Sequence, residues 1–555
     1  MYNVKKGVVL PIRKTGIICG LFMLAQLFSM ANTRIPSEKP KIIIGITIDQ
    51  MRYDYITYYW DDFSEDGFKK LIQRGTNFKN ARYNYLYTQS APGHATIATG
   101  ANPAYHGIIS DDWFNRIKEE MVHCVEDQDE NAVGGFYDSG KKSPKRLFST
   151  TFSDELKISS QSASKVFSIS LKPEGSILST GHMGDAAYWF DEQNGKWMTS
   201  SYYMDSLPDW VEDFNQKKFP DLYMKRTWQP LIKMDEGITV ERDTVHQEET
   251  FQSRMQSFKY DLREMFGGTY QYQELLETPF GNTLTIDFAL AAMHHEELGM
   301  DEHTDYCHIN FATNGYIGQK YGQHSMELRD CYIRLDRIIA HLVDYVERNI
   351  GKENTLIYLT ADRGAAYSPE HLKDLKIPSD YFDLNKAIVL LKSYLNVLYG
   401  QGNWIQAYDH NQIYLNRNLI EDSRLSLKEV QDKTAQFIIQ FSGIANALTS
   451  TALEYGNFST GIYEKFQNSY NQKRSGDILI NLAPGWIEKG QSMTFSNTAY
   501  AYDTHVPLIW YGWKVGRNSL SQAIDMKDIA PTISQLLEIS YPSASTGKPI
   551  EDLLR

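Results

Sequence analysis

Apolar and β-branched residues form short, nearly continuous runs at five places in the chain. Runs of this length and composition are typical of strands buried on both faces of a sheet. A stripe of apolar residues at helical spacing predicts one long amphipathic helix from about Ser325 to Val346. No linker or repeat divides the chain, so we expect a single large α/β core with insertions. The predicted strands cover residues 41–48, 165–170, 306–312, 355–360 and 478–482.

The N-terminal segment has the pattern of a secretory signal. Four basic residues precede an apolar run from Gly16 to Leu27, and Ser29-Met30-Ala31 forms a cleavage site with small residues. We therefore expect residues 1–31 to be a signal peptide and the mature protein to be periplasmic or secreted. The apolar run is shorter than the ~20 residues of a membrane span. An uncleaved N-terminal anchor is the alternative to cleavage.

The net charge of the mature chain limits the classes of partner that it can bind. Removing the four basic residues of the signal changes the net charge from −13 to −17. A chain this acidic does not favour nucleic acid or an anionic membrane surface as a partner. Three cysteines remain, Cys124, Cys307 and Cys331. At most one disulfide can form among them, and the sequence leaves the pairing open.

Ser90 is a candidate nucleophile because it lies where a helix is predicted to begin. A proline follows at position 92, and proline near the first helical turn costs no hydrogen bond. The free N–H groups and the dipole of a helix N-terminus favour an anion beside such a hydroxyl. The alternative is that Ser90 only caps the helix. Asp49 and Asp362 each follow a predicted buried strand, where α/β sheets place ligand-binding groups.

The segment from Ser90 to Asp111 resembles the nucleophile region of a known family. A Ser-x-Pro-x-His start, Thr99-Gly100 and His106-Gly107-Ile108 follow one another as in the alkaline phosphatase superfamily, in its type I phosphodiesterase/nucleotide pyrophosphatase and zinc phosphomonoesterase branch. The resemblance extends over roughly residues 41–555. It implies a three-layer α/β sandwich with a mostly parallel central sheet over residues 32–555, with cap segments inserted at about 112–240 and 366–480.

The resemblance also implies a two-zinc site, most of whose ligands are replaced in this chain. Asp49, Ser90 and Asp362 match ligand positions of the family. Glycine offers no ligand atom, a glutamine amide is a poor zinc ligand, and arginine cannot be deprotonated. We therefore expect no metal cofactor, and we hypothesise that the arginine fills the space of the second metal and bridges Asp49 and Asp362. The residues that stand at lost ligand positions are Gly315, Gln319, Arg363 and Ser496.

The groups that hold phosphate in the family are altered as well. Lys172 matches a phosphate-binding lysine, while Glu174 stands where the family has an arginine, and Asp111 stands where it has an asparagine. Ser90, Lys172 and Asp111 are thus the catalytic candidates implied by the resemblance, and Lys172, Glu174 and Asp111 the substrate-binding ones. Without a metal, the pocket has four carboxylates, Asp49, Asp111, Glu174 and Asp362, against two basic groups, Lys172 and Arg363, so a phosphate dianion is expected to be repelled.

Three functions are consistent with these residues. The first, which the missing ligands favour, is a secreted pseudo-phosphatase that binds or scaffolds a glycan, an envelope partner or a cationic ligand. The alternative is an active phosphomonoesterase or phosphodiesterase that uses Ser90 as nucleophile with zinc in a non-standard site, with ligands such as His308, His324 or Glu327. The third is a hydrolase of another ester class that uses Ser90 without zinc.

Overall fold

The computed structural model describes residues 38–232, 258–265, 272–490 and 497–554. Residues 1–31 and Ser496 lie outside this part of the chain. The strands, in chain order, are β1 (Ile42–Ile48), β2 (Thr76–Arg82), β3 (Asp112–Asn115), β4 (Glu120–His123), β5 (Ala132–Val133), β6 (Val166–Ser170), β7 (Ala186–Asp191), β8 (Lys196–Ser200), β9 (Thr227–Trp228), β10 (Tyr260–Asp261), β11 (Asp305–Phe311), β12 (Thr355–Thr360), β13 (Asp380–Phe382), β14 (Ile405–Asp409), β15 (Gln412–Leu415), β16 (Ile444–Thr449), β17 (Ile478–Leu482), β18 (Trp486–Glu488), β19 (His505–Gly512) and β20 (Asn518–Asp525).

Helices occupy much of the chain between these strands. They are α1 (Tyr55–Tyr58), α2 (Phe68–Arg74), α3 (Ser90–Thr99), α4 (Pro103–His106), α5 (Phe152–Ser159), α6 (Pro173–Thr180), α7 (Asp209–Gln216), α8 (Phe219–Tyr223), α9 (Leu262–Met265), α10 (Gln273–Leu276), α11 (Phe280–His295), α12 (Thr313–Tyr321), α13 (Met326–Asn349), α14 (Pro369–Asp374), α15 (Leu384–Tyr399), α16 (Arg417–Asp422), α17 (Leu427–Ile438), α18 (Ser450–Tyr455), α19 (Gly461–Ser469), α20 (Ala501–Thr504) and α21 (Ile529–Leu537).

A ten-stranded sheet with the order β20-β2-β19-β12-β1-β11-β6-β7-β8-β5 forms the centre of the protein. The strands from β12 to β7 run parallel, and every residue of β1 is buried. The prediction of an α/β fold with a mostly parallel central sheet is therefore confirmed. Because parallel strands end at the same edge, the residues that follow β1 and β12 meet there.

Four of the five predicted strands belong to this sheet, and their ends agree with the prediction to within one residue. The fifth, β17, lies instead in a separate four-stranded sheet with the order β14-β15-β17-β16. That smaller sheet has its own apolar core, which includes Leu391, Ile413 and Ile480. The long helix α13 begins after Ser325, whose hydroxyl accepts a hydrogen bond from the Leu328 N–H at 3.1 Å.

Two further features of the described residues bear on the predictions. Cys124, Cys307 and Cys331 are buried free thiols, so the single disulfide that the sequence allows does not form among them. In the described ranges, no helix has both the length and the apolar character needed to cross a membrane. The predicted signal peptide is not among the residues that the structure describes.

Candidate metal centre and active site

Two carboxylates meet at the edge of the sheet where β1 and β12 end. Asp49 follows β1, and Asp362 follows β12. Gln50 has a left-handed backbone conformation with φ of 57°, which is uncommon for a non-glycine residue. In this conformation its N–H donates a hydrogen bond of 2.9 Å to Oδ1 of Asp362. The turn after β1 therefore holds the two acidic residues side by side.

Each oxygen of Asp49 accepts a hydrogen bond from a neighbour. Nζ of Lys172 donates to Oδ2 at 2.7 Å, and Nδ2 of Asn310 donates to Oδ1 at 2.7 Å. Burial alone would raise the pKa of Asp49, but Lys172, the nearby His94 and Asn310 together hold it below its ordinary value. Asp49 is thus an ionised carboxylate in a buried site.

The nucleophile candidate lies on a helix that packs directly against Asp362. Helix α3 begins at Ser90, after the extended residue Gln89, and all ten of its residues are buried. A Cβ atom added to Gly93 would lie 2.1 Å from the carbonyl oxygen of Asp362, so only glycine permits this approach. The hydroxyl of Ser90 is buried and has no hydrogen-bond partner within the described part of the chain.

His94 lies one turn after Ser90 on the same helix and completes a cluster with the two carboxylates. One ligand atom from each of Asp49, His94 and Asp362 lies within 4.8 Å of the others, and all three residues are buried. Burial, which Asp49 opposes, lowers the pKa of His94 to about 4. The imidazole is therefore neutral at physiological pH and has a nitrogen lone pair available for a metal.

The orphaned atoms of this cluster fit a divalent cation. Three buried atoms of the cluster have no hydrogen-bond partner among the described residues. They are both ring nitrogens of His94 and the Oδ2 atom of Asp362. Buried polar atoms without partners are rare because desolvating them costs free energy. One imidazole and two carboxylates are a donor set that zinc accepts, and three protein ligands leave a position for substrate. The residues present therefore fit one metal ion.

Two different basic residues lie beside the two carboxylates, Arg363 beside Asp362 and Lys172 beside Asp49. Nε of Arg363 lies 3.9 Å from Oδ2 of Asp362, whereas the cation on Asp49 is the ammonium of Lys172. Burial and the charge of Asp49 raise the pKa of Asp362 to about 7, although Arg363 opposes this shift. The hypothesised bridge from Arg363 to both carboxylates is therefore not what the structure shows.

Gly315 and Gln319, which the resemblance places at ligand positions of the first zinc, lie on helix α12. Gly315 is part of α12, and a Cβ atom added there would lie 3.0 Å from Cβ of Asp49. A side chain at this position would point towards Asp49, but glycine supplies none. Gln319 is one turn further along the same helix, and Ser496 is outside the described residues. Glycine offers no ligand atom and a glutamine amide is a poor zinc ligand.

Asp111 caps the nucleophile helix. Its Oδ1 atom accepts a hydrogen bond from the Ala91 N–H at 2.7 Å, and its own N–H donates to Oε1 of Gln89 at 2.7 Å. The side chain thus uses one of the free N–H groups in the first turn of α3. Asp111 is beside Ser90, as the resemblance implies, and its role in substrate binding stays a prediction.

Glu174 lies in the first turn of α6, directly after Lys172 and Pro173. Lys172 and Glu174 both line a cavity of about 380 Å³. The Oε2 atom of Glu174 lies 3.9 Å from Nε2 of His123. Burial raises the pKa of Glu174 to about 7, and Lys172 opposes the shift. The acid that we expected to repel phosphate is therefore neutral at mildly acidic pH.

A pH dependence of substrate binding follows from Glu174. The charges of Lys172, Asp111 and Lys142 influence the pKa of Glu174, and the imidazole of His123 lies 3.9 Å from its carboxylate. Above its pKa, Glu174 adds a negative charge to the cavity, so KM for an anionic substrate should rise with pH. Between about pH 6 and about pH 8 the rise should reach up to about tenfold. Steady-state kinetics with a phosphodiester, whose charge is constant over this range, measures it.

The variant Glu174→Gln provides the control for this prediction. Glutamine keeps the shape of the side chain and removes its titration, so the rise of KM with pH should disappear. An equal rise in the variant and the wild type would show that another group titrates.

The other ligand candidates from the sequence have structural roles. His308 is buried in β11, with its two ring nitrogens 2.8 Å from the Thr47 hydroxyl and 3.0 Å from the Ser168 hydroxyl. His324 stacks on the ring of Tyr58, with centroids 4.8 Å apart. Glu327 accepts a hydrogen bond from Tyr260 at 2.8 Å. The candidate metal cluster among the described residues contains none of these three.

Two site residues were missed by the sequence analysis. His94 was considered only as part of the motif, although its spacing of four residues from Ser90 places both side chains on one face of a helix. Asn310 was considered only as a strand residue. Its position at the end of β11, beside β1, is the signal that points to Asp49.

Comparison with known proteins identifies relatives that match nearly the whole chain. A protein of Myroides odoratus named a calcium-transporting ATPase is 36% identical over 98% of this chain and 99% of its own length. The alkaline phosphatase PafA of Elizabethkingia meningoseptica is 35% identical over 93% of this chain and 95% of its own length. The crystal structure of wild-type PafA superposes with a TM-score of 0.83 at 33% identity and covers 94% of this chain and 99% of that structure.

These findings overturn the expectation of a metal-free pseudo-phosphatase. The relative with the matching structure is an alkaline phosphatase, and Asp49, His94 and Asp362 form a cluster that can hold a metal. The expectation of no metal cofactor was wrong because it counted only residues at the family's ligand positions. It did not consider that α3 brings His94 to the two remaining carboxylates.

The match to the family itself spans most of the protein. The model of the type I phosphodiesterase/nucleotide pyrophosphatase family matches residues 43–505. This range includes the strand ends that carry Asp49 and Asp362 and the helix that begins at Ser90. The central sheet agrees with that of the alkaline phosphatase structure. The chain therefore belongs to the type I phosphodiesterase/nucleotide pyrophosphatase family of the alkaline phosphatase superfamily.

Proposed function

We propose that this protein hydrolyses phosphate esters with Ser90 as nucleophile and one divalent metal ion held by Asp49, His94 and Asp362. The observation that supports the proposal most is the buried three-residue cluster, whose His94 lies one helical turn after Ser90 on the same helix. The names of the relatives, an alkaline phosphatase and an ATPase, support the same reaction class.

The chain's own residues each have a defined part in this reaction. The Ser90 hydroxyl loses its proton to solvent and Oγ bonds to phosphorus while the bond to the ester oxygen breaks, and the alcohol leaves with a proton from solvent. Water then attacks the phosphoserine, releases phosphate and restores the hydroxyl. His94 supplies a neutral imidazole, and Asn310 orients Asp49 by its hydrogen bond. When bound, the metal stabilises negative charge and lowers the pKa of the attacking hydroxyl.

The groups around Ser90 bind the anionic part of the substrate. Lys172 is the cation that lines the adjacent cavity and also contacts Asp49. The first turn of α3 adds the positive end of a helix dipole beside Ser90. A phosphoryl group placed between Lys172 and Ser90 would contact both the ammonium and the N-terminal end of the helix.

Location and organisation belong to the same proposal. The pattern of residues 1–31 supports export, so the enzyme would act in the periplasm or outside the cell. The segments at about 112–240 and 366–480 would be the caps on the catalytic core.

A metal-reconstitution assay tests the function. The purified protein is treated with a chelator, dialysed, and assayed with p-nitrophenyl phosphate, bis-p-nitrophenyl phosphate and ATP, before and after addition of zinc or manganese. We expect negligible hydrolysis without metal and at least about 100-fold more with it.

A carboxylic ester serves as the matched control substrate. Hydrolysis of p-nitrophenyl acetate that exceeds phosphate hydrolysis and persists with chelator would support the metal-free esterase instead. No hydrolysis of any phosphate substrate with either metal would contradict the proposed function.

A further inference from the structure

Lys172 forms the closest ion pair of the candidate site. Its Nζ atom lies 2.7 Å from Oδ2 of Asp49, and the two side chains are 16% and 1% exposed. The other oxygen of Asp49 accepts from Asn310 at 2.7 Å. The carboxylate that is to bind a metal is thus already neutralised by a cation of the chain itself.

An ammonium and a divalent metal compete for one carboxylate. Both are attracted by the negative charge of Asp49, and they repel each other in a buried site where charges are poorly screened. Nδ2 of Asn310 is a neutral donor and can remain in place. The cation that has to yield when a metal binds is therefore Lys172.

The structure provides a second position for the displaced ammonium. Lys172 lines the cavity of about 380 Å³, together with Glu174, Glu192 and Tyr316. While it contacts Asp49, its Nζ atom already lies 4.8 Å from the centre of the Tyr316 ring, so the ammonium is beside this cavity before any displacement. A rotation of the flexible lysine side chain would turn the ammonium from Asp49 into this cavity.

We propose that Lys172 is an exchangeable counter-ion, which holds Asp49 until a metal binds and then turns into the cavity to bind the phosphoryl oxygens. Metal and phosphate then bind cooperatively, because the metal frees the lysine that the phosphate requires. This inference rests on the proposed metal site and adds an order of binding to it.

Calorimetric titration of the metal-free protein with zinc tests the exchange. In the variant Lys172→Met the competing charge is absent, so zinc should bind about tenfold or more tightly than in the wild type. Zinc should also raise the affinity of the wild type for inorganic phosphate, but not that of the variant.

Lys142→Met is the matched control. Lys142 lines the same cavity, but the ammonium on Asp49 is that of Lys172, so this variant should keep the wild-type affinity for zinc. Equal zinc affinities of Lys172→Met and the wild type would overturn the exchange and leave the metal site standing. A wild-type protein that binds no zinc would overturn both.

The reactivity of Lys172 can also be measured in the wild-type protein, so the test does not require that a variant folds. Acetic anhydride modifies accessible lysines, and mass spectrometry reads the extent at Lys172 with and without zinc. We expect several-fold faster acetylation of Lys172 with zinc, and an unchanged rate at Lys142. Equal rates at Lys172 would contradict its release from Asp49.

Discussion

Replacing Ser90 by alanine is expected to lower kcat for phosphate ester hydrolysis by about 10³-fold or more. The hydroxyl is buried at the first residue of α3, one turn before His94, and within the described residues no hydrogen bond restrains it. Alanine preserves the helix and removes only the atom that would attack phosphorus. Assays with p-nitrophenyl phosphate at saturating zinc measure the loss.

Ser90→Thr is the matched variant for this experiment. Threonine keeps a hydroxyl at the same position, and the resemblance implies that members of the family use either residue. The threonine variant should retain metal-dependent activity, and the alanine variant should still bind the metal. Activity of Ser90→Ala close to that of the wild type would exclude Ser90 as the nucleophile.

Replacing His94 by alanine is expected to weaken metal binding by about 100-fold or more and to abolish activity at low metal concentration. The imidazole is the only nitrogen donor of the three-residue cluster among the described residues. Its removal leaves two carboxylates, one of which, Asp49, already forms an ion pair with Lys172. Zinc titration, followed by calorimetry and by the rate of phosphate release, measures the effect.

His106 offers a control for the loss of any buried histidine. It too is fully buried, but its ring nitrogens lie 3.2 Å from the Thr96 hydroxyl and 3.1 Å from the Ile108 N–H. His106→Ala should lower the melting temperature and leave the metal stoichiometry unchanged. If His94→Ala binds zinc as tightly as the wild type, His94 is not a ligand.

The fold follows from the sequence because its central strands are buried on both faces. An isoleucine-rich run such as that of β1 is stable in few environments other than the interior of a sheet. The pattern therefore predicted the position of the strand to within one residue. The same reasoning placed Asp49 and Asp362 at strand ends, where parallel strands bring them together. It did not show that β17 belongs to a separate sheet, since an apolar run does not specify its partners.

The composition of the site was harder to predict because it depends on how separate segments pack. His94 reaches the carboxylates only because Gly93 lets α3 approach the backbone of Asp362. Lys172 matched a phosphate-binding position, yet its ammonium lies on Asp49, 123 residues away in the chain. Comparison of the family's ligand positions alone therefore identified the replaced ligands. It did not identify the side chains that packing brings to the two carboxylates.

The metal content of the purified protein tests the central claim most directly. The protein is equilibrated with zinc, freed of loosely bound ions, and analysed for zinc per chain alongside His94→Ala. The three-residue cluster predicts one zinc in the wild type and almost none in the variant. No zinc in the wild type would contradict the metal centre, and two would show that further ligands rebuild the second site.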